Sequence, residues 1–463
     1  MITTNGILDT GLRALKAYQI ALATTSHNIS NAATEGYSRQ RANLAPTLPM
    51  PHTPGQIGSG VEATYITRLR DATLDSTIRT EVSNLGRWTQ EKETLGVLET
   101  QLGEATNGTI ANALSEFWNA WQELATAPEE LGIRSVVVEK AKSLADAFQN
   151  VDTQLAGFTV GLNQSLTAKV NDANTYSKNI AQLNYDIFRI ELTGANANDL
   201  RDRRDLMIEK LAELSDIVVT PQANGALDVQ IQTAGGPEYL VQGFLSFDMD
   251  CSDISVPADG YNEVTLGGVQ VTSNSGRFKG FADDFANVAA TRTSLNNLAG
   301  TLINTVNARH ALGYDLYGNA GGSFFSGTSA ADIDVEAAVS ASPALIAASN
   351  SAAGVPGNGL NALGIAGIRD QTVLGGATLN DGLGTLVIEL GSKAREANLR
   401  YADYATTVRV MKEQRESISG VNMDEELTNM LAFQRAYQGA ARIITTVDDM
   451  LDRIINRMGR VGL

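Results

Sequence analysis

Both ends of the chain carry the same apolar repeat, and this repeat constrains the fold more than any other feature. Apolar residues spaced alternately three and four apart indicate a helix whose one apolar face pairs with another helix. Near the carboxyl end this face holds Met423, Leu427, Met430, Gln434, Tyr437, Ala441, Ile444, Val447, Leu451, Ile455 and Met458. Near the amino end it holds Leu8, Leu12, Leu15, Gln19, Leu22, Ser26, Ile29 and Ala33. The sequence therefore predicts a terminal coiled coil, with the rest of the chain inserted between its two helices.

The carboxy-terminal repeat predicts one long helix over residues 419–463. Asn422 is placed to cap its start, and Glu425 to complete a capping box three residues later. Gly459 is a stop signal near its end. The simpler interpretation is that both repeats form an ordinary packing edge within the chain. We favour an assembly seam, because two helices alone are marginally stable, and we expect both termini to be mobile until neighbouring copies cover them.

Between the ends, the periodicity predicts a mainly α fold with an inserted β domain. A helical pattern over 129–192 predicts a rod roughly 95 Å long, although Gly157 and Gly161 leave its continuity open. The pattern alternates in twos after Ile217, with turns at Asn224-Gly225 and Gly267-Gly268. We thus expect a terminal coiled-coil domain at 1–45 and 419–463, and a rod domain at 46–215 and 283–418. The rod would include a Gly/Ala-rich segment at about 313–380, and residues 216–282 would form the β domain.

Composition excludes several classes of function. The net charge of −17 argues against a nucleic-acid partner, which would need clustered Lys and Arg. The uncharged stretch 337–368 contains Pro343, Pro356 and many Gly and Ser, which predicts no membrane span. Cys251 is the only cysteine, so the fold does not depend on an intrachain disulfide. The first residues carry no signal-peptide pattern.

Signatures of catalysis and cofactor binding are missing from the sequence. His27, His52 and His310 have no paired metal-binding spacing, and we expect them to be solvated or structural. Residues 315–319 resemble part of a calcium loop, but Tyr317 stands at a ligand position and a structural turn is favoured. Trp118 and Trp121 share one helical face and are expected in the core. The prediction is a protein that is no enzyme and has no catalytic, cofactor or metal site.

The segment after the first helix resembles a known family. Its motif consists of Asn28, Ile29, Ser30, Asn31, Thr34, Gly36, Tyr37, Ser38 and Arg39. This pattern is similar to the amino-terminal signature of the rod, hook and filament axial proteins of the bacterial flagellum. Ser38-Arg39 is most similar to the members that join hook to filament. The run at 198–206, the Gly-Asn-x-Gly-Gly turn after Tyr317 and residues 431–438 also resemble these junction members.

The resemblance implies a structural subunit that assembles through its terminal helices. Copies would form a ring, with the hook protein on one side and the second junction protein, and through it flagellin, on the other. The terminal helices would line the inner tube, and the β domain would face outward. The protein would leave the cell through the flagellar type III apparatus, with an export chaperone on the carboxy-terminal helix. The alternatives are the second junction protein, a flagellin-like filament subunit and, more remotely, a helical membrane-active rod or an axial protein with a grafted hydrolase domain.

Overall fold

The computed structural model describes residues 4–52, 55–104, 109–254 and 260–453. In this part of the chain the α-helices are α1 (Thr4–Ser30), α2 (Ala72–Glu104), α3 (Ala111–Thr126), α4 (Leu131–Glu191), α5 (Asn198–Leu214), α6 (Gly276–His310), α7 (Ala337–Ala341), α8 (Leu360–Ala366), α9 (Leu379–Ser419) and α10 (Met423–Asp452). The prediction of a mainly α fold with inserted strands is confirmed.

The strands form small antiparallel sheets. They are β1 (Gln40–Pro46), β2 (Met50–His52), β3 (Gly55–Ile57), β4 (Val61–Arg68), β5 (Ile217–Pro221), β6 (Leu227–Thr233), β7 (Gly236–Gln242), β8 (Leu245–Ser246), β9 (Met249–Ser252), β10 (Glu263–Leu266), β11 (Val269–Gln270), β12 (Phe325–Ser326) and β13 (Asp334–Val335). Strands β5 to β8 form one sheet in sequence order, and β9, β10 and β11 form another with β10 in the centre. The two predicted hairpin turns are confirmed, with Gly225, Gly267 and Gly268 all at positive φ. These two sheets pack against the second half of α4, and β1 pairs with β4 beside α1.

Helix α4 is the longest element and runs unbroken for 61 residues. Its amino-terminal half packs on α3, and its carboxy-terminal half packs on α5. Gly157 and Gly161 lie inside it without breaking it, which settles the continuity of the predicted rod. Both glycines line an open groove of about 660 Å³ bordered by α2 and α6, and a Cβ atom added to either would meet nothing within 4 Å.

The hydrophobic core extends along α4, and an aromatic cluster lies at one end of it. Trp118 and Trp121 are buried, as predicted, and the Trp121 ring lies 5.1 Å from that of Phe324. Beside them, His310 is fully buried and neutral, because burial lowers its pKa. Its Nδ1–H donates to the Gly322 carbonyl oxygen at 2.8 Å, and its Nε2 accepts from a backbone N–H at 2.9 Å. This histidine is therefore part of the packing of the segment after α6.

Several predicted boundaries were wrong. Ser419 belongs to α9, and α10 begins only at Met423. The extended backbone at Gly420 ends α9, and a Cβ atom added at Gly420 would lie 2.3 Å from the Glu416 carbonyl oxygen. Helix α1 ends at Ser30, so Ala33, the last member of the amino-terminal repeat, lies in the turn after it. Helix α6 starts at Gly276, within the residues that were predicted for the β domain. Gly459 lies outside the described residues.

Candidate assembly site

Asn28 lies in the last turn of α1 and connects three parts of the chain. Its Oδ1 accepts hydrogen bonds from the Tyr37 hydroxyl at 2.8 Å and from the Gln40 backbone N–H at 2.9 Å. Its Nδ2 donates to the Gln40 carbonyl oxygen at 2.8 Å and to the Glu426 carboxylate at 3.0 Å. Because Asn28 is buried, each of these bonds is shielded from competing water. One side chain thus ties the turn after α1 to β1 and to α10.

Arg39 carries the positive charge that pairs with two carboxylates at the start of α10. Its guanidinium contacts Glu426 Oε1 at 2.7 Å and Glu425 Oε2 at 2.8 Å. Glu426 is only 2% exposed, whereas Glu425 is exposed, so the bond to Glu426 is the one that compensates a buried charge. The Arg39 backbone N–H donates to the Ser419 carbonyl oxygen at 2.8 Å. The predicted capping box is corrected here: Asn422 accepts from the N–H groups of residues 424 and 425, but the Glu425 side chain binds Arg39.

Acidic residues of α5 hold the same turn from the other side. The Asp202 carboxylate accepts from the Ser38 backbone N–H at 2.9 Å and from Arg68 at 2.7 Å. Asp199 accepts from the Gln40 side chain at 2.7 Å. Burial raises the pKa of Tyr37, and the neighbouring carboxylates raise it further, so its hydroxyl stays protonated and can donate. We refer to these residues as the terminal clamp: Asn28, Tyr37, Ser38, Arg39, Gln40, Asp199, Asp202, Glu425 and Glu426.

The rest of the amino-terminal motif shapes the turn that carries the clamp. Gly36 adopts a φ of +79°, a conformation that favours glycine, and packs against Leu206 of α5. Asn31 donates to the His27 carbonyl oxygen at 3.0 Å, and the Thr34 hydroxyl donates to the Asn31 side chain at 3.2 Å. These bonds satisfy groups at the end of α1 and turn the chain towards β1. Ser30 is exposed, and Ile29 is half-buried.

Helices α1 and α10 pair in antiparallel fashion, and their contact face is made largely of small side chains. The Tyr18 and Phe433 rings lie 6.5 Å apart, and Gly11 lies so close to Ile444 that an added Cβ would be 2.9 Å from its side chain. The buried residues on the two helices include Ala17, Ala21, Ala440 and Val447. The pairing of the two ends is therefore present, with close approach of the backbones.

The predicted seam lies mostly beside this contact face. Leu12, Leu427 and Tyr437 are exposed, at 43%, 48% and 37%. The half-buried seam residues are Leu8, Leu15, Leu22, Ile29, Met430, Ile444 and Leu451. Ile455 and Met458 lie outside the described residues. The structure thus brings the helices together through a neighbouring face and leaves much of the seam accessible.

Sequence reasoning missed Glu426 and the partnership between α5 and the turn. Glu426 is not part of the apolar repeat of α10, so that repeat does not place it at the contact face. Yet Glu426, Phe433, Ala440 and Val447 repeat at intervals of seven, which could have placed Glu426 on the buried face. The run at 198–206 resembles the family, but nothing in the sequence indicates what its Asp residues contact.

The other residues considered as candidate binding or reactive sites, Asp315 and Cys251, have structural roles. Asp315 Oδ1 accepts from the backbone N–H groups of Tyr317 and Asn319 at 2.8 and 2.9 Å, which is a turn stabilised by its own side chain. Burial raises the pKa of Cys251, which keeps its thiol protonated. Within the described ranges, no group of three or more His, Cys, Asp or Glu side chains is placed to hold a metal ion. None of the helices described is long and apolar enough to cross a membrane.

Comparison with known proteins identifies the class to which this arrangement belongs. The model of the flagellar basal body rod protein matches residues 8–37, and that of the rod FlgEFG protein C-terminal region matches residues 412–458. Between them, the model of the flagellar hook-associated protein FlgK helical domain matches residues 95–325. Rod-type sequences at both ends with a helical domain between them define an axial protein of the flagellum.

Full-length relatives identify the family. Flagellar hook-associated protein 1 of Bacillus subtilis is 30% identical over 98% of this chain and 98% of its own length. The protein of the same name from Escherichia coli is 24% identical over 98% of this chain and 100% of its own. The chain belongs to the flagellar hook-associated protein 1 family. The solved structure of the flagellar hook junction protein FlgK from Burkholderia pseudomallei has the same fold, with a TM-score of 0.66 at 15% identity over 74% of this chain and 100% of that one.

Proposed function

We propose that this chain is a structural subunit at the junction between the flagellar hook and filament. The observation that carries the proposal is the terminal helix pair, whose contact face is made of small residues while its leucines remain accessible. Exposed Leu12 and Leu427 mark flanks of α1 and α10 that a neighbouring copy can cover. Because removing apolar surface from water lowers the free energy, these flanks favour association of copies.

In the assembly, the residues 1–45 and 419–463 form the inner tube, and copies contact each other there along the seam. The long-helix domain at 46–215 and 283–418 forms the next shell, and the domain at 216–282 faces outward. This order is supported by the position of the terminal clamp, where both connections between the terminal pair and the rod pass side by side. A ring of such subunits needs a fixed angle at this point, and buried polar bonds provide one.

The partners follow from the position in the flagellum. Copies of the chain lie beside each other, the hook protein lies on one side, and the second junction protein lies on the other. Before assembly, an export chaperone covers the apolar flank of α10, where Met423, Leu427 and Leu431 are exposed. The flagellar type III apparatus exports the chain, which then acts outside the cell. Its role is mechanical and involves no catalysis.

The test is a strain that lacks this gene, with hooks and culture supernatant examined together. We expect intact hooks without filaments, and flagellin monomers released into the medium. Complementation with the intact gene serves as the control and restores filaments. Normal filaments in the deletion strain would overturn the proposal.

The second junction protein and a flagellin-like filament subunit are the alternatives within the same class. The names of the relatives and the match to the FlgK helical domain favour the first junction protein over both. The same deletion strain excludes the filament subunit, because a strain without its filament subunit releases no flagellin. The membrane-active rod has no support from the helices that the structure describes.

A further inference from the structure

The rod has an open apolar groove between α2 and α4, with α6 as its floor, which we call the rod groove. Its volume is about 660 Å³. Val97 on the α2 wall is 47% exposed, and Phe158 on the α4 wall is half-buried. Gly157 and Gly161 lie one turn apart on the α4 wall, where an added Cβ atom would meet nothing within 4 Å. Such a wall lets the backbone of another helix come close, so the rod groove has room for side chains that its own walls do not supply.

Helix α9 packs on the opposite side of α2. The Lys92 ammonium lies 3.8 Å from the centre of the Tyr401 ring. At about 100° per residue, Lys92 is roughly 150° around α2 from the residues that line the rod groove, which include Gln90, Thr94 and Val97. Because Lys92 lies between Gln90 and Thr94 in the sequence, α9 passes this level of the rod near Tyr401. The rod groove and α9 are therefore on opposite faces of α2, at the same level.

The outer face of α9 carries exposed apolar residues. Ile388, Leu399 and Val410 follow each other at intervals of eleven, which is close to three full turns, so they lie on one line along the helix. Leu399 is 60% exposed. It is two residues, or about half a turn, from both the buried Ala397 and Tyr401, whose ring meets α2. Leu399 therefore points away from α2, at the level of the rod groove.

An apolar side chain on one face and an apolar groove on the opposite face are the two halves of a head-to-tail contact, which closes into a ring when the rotation between copies allows it. The charges also agree. Asp403 lies one turn from Leu399 towards the terminal clamp, and Lys169 lines the end of the rod groove on the clamp side. Lys169 is held by an exposed ion pair with Asp172, a kind of contact that another carboxylate can replace. Arg395, one turn the other way, would meet the uncharged end.

We infer that Leu399 of one copy inserts into the rod groove of the next, so that subunits of the ring contact each other through their rods as well as through their terminal helices. That copies lie side by side rests on the proposed function. That the occupant is a second copy follows from the match between two opposite faces of one chain. Gly157 and Gly161 then keep the groove open for the neighbouring α9.

Disulfide trapping tests this contact in assembled flagella. The full-length chain carries Cys251→Ser, Leu399→Cys and Gly161→Cys, and it replaces the parent protein in the deletion strain. A disulfide needs Cα atoms within about 7 Å, and these two positions lie on opposite sides of one subunit, so only two copies can form it. The matched control carries Val410→Cys instead of Leu399→Cys. Val410 is exposed on the same line of α9, roughly 16 Å away.

After mild oxidation of sheared filaments with their junctions attached, we expect a ladder of cross-linked oligomers on non-reducing gels for the pair at 399 and 161. The control pair at 410 and 161 should give no ladder. Filaments that form without a ladder, or an equal ladder from the control pair, would overturn the inference. The deletion strain tests the proposed function separately, because it is scored by filaments and not by cross-links.

A second set of variants covers the case in which the cysteines disturb assembly. Gly161→Leu fills the rod groove, but its side chain meets open space in the isolated subunit, so the melting temperature should stay equal or rise. It should leave hooks without filaments. Gly132→Leu, on the same helix but outside the rod groove and equally open, should swim normally, as should Gly161→Ala, which leaves most of the space. Normal filaments with Gly161→Leu would overturn the inference.

Discussion

Leu427→Asp separates the stability of the subunit from its assembly. Leu427 is about half exposed in the isolated chain, so roughly half of its burial free energy, on the order of 1 kcal/mol, remains for a neighbouring copy. An aspartate here loses the other half, which is already realised in the isolated chain, so the free energy of unfolding of the monomer should fall by only about 1 kcal/mol. Buried unpaired between copies, the same carboxylate would cost several kcal/mol, and each subunit of the ring would incur this cost.

The assay compares two strains that express the variant in place of the parent protein. We expect Leu427→Asp to be secreted and folded but to leave hooks without filaments, and Thr428→Asp to swim normally. Thr428 is the matched control, since it is exposed on α10 one residue further on and gains the same charge. Thermal unfolding of both purified variants measures the monomer. Normal filaments with Leu427→Asp would refute the assignment of this stripe to an interface between copies.

Three further predictions concern the subunit itself. Arg134→Met should lower the free energy of unfolding, measured by urea denaturation, by about 3 kcal/mol, because Arg134 is buried and donates at 2.6 Å to two backbone carbonyl oxygens. The control is Lys140→Met, which removes an exposed ion pair on the same helix. A loss for Arg134→Met no larger than that of the control would contradict the prediction. Asp284→Asn should raise the melting temperature at pH 7 and lose this advantage towards pH 4. Burial raises the pKa of Asp284 well above its ordinary value, so the native state favours the protonated acid and loses stability as the pH rises. An equal change of melting temperature at both pH values would contradict this prediction. The amides of residues 5–33 and 423–453 should exchange rapidly in the isolated chain and slowly after assembly, as measured by hydrogen–deuterium exchange; slow exchange throughout in the monomer would refute mobile termini.

The long elements of this fold were predictable because their signals are local. Helix α4 repeats its apolar positions over many turns, and the hairpins at Gly225 and Gly267-Gly268 carry the turn residues that their backbone requires. The pairing of the two ends followed from their matching periods. Asn422 was correctly predicted as the cap of α10, since its side chain accepts from the first free N–H groups of the helix.

The rotation of the terminal helices was not predictable in the same way. The leucine repeat is the strongest apolar signal on α1, yet the pair approaches through Gly11, Ala17 and Ala21. Small residues give little hydrophobic signal, although they allow the closest contact. Glu426 is buried because it is bonded to Asn28 and Arg39, which lie nearly 400 positions earlier in the chain. A contact over this distance leaves no local pattern in a single sequence.

The two glycines in the middle of α4 give this long helix a defined mechanical character. A glycine weakens a helix interior by about 1 kcal/mol, and Gly157 and Gly161 border a groove in which a shift of the backbone meets no packed side chain. On either side, the helix is clamped by α3 at one end and by α5 at the other. Under a bending load, α4 should therefore bend most easily at the level of these two glycines.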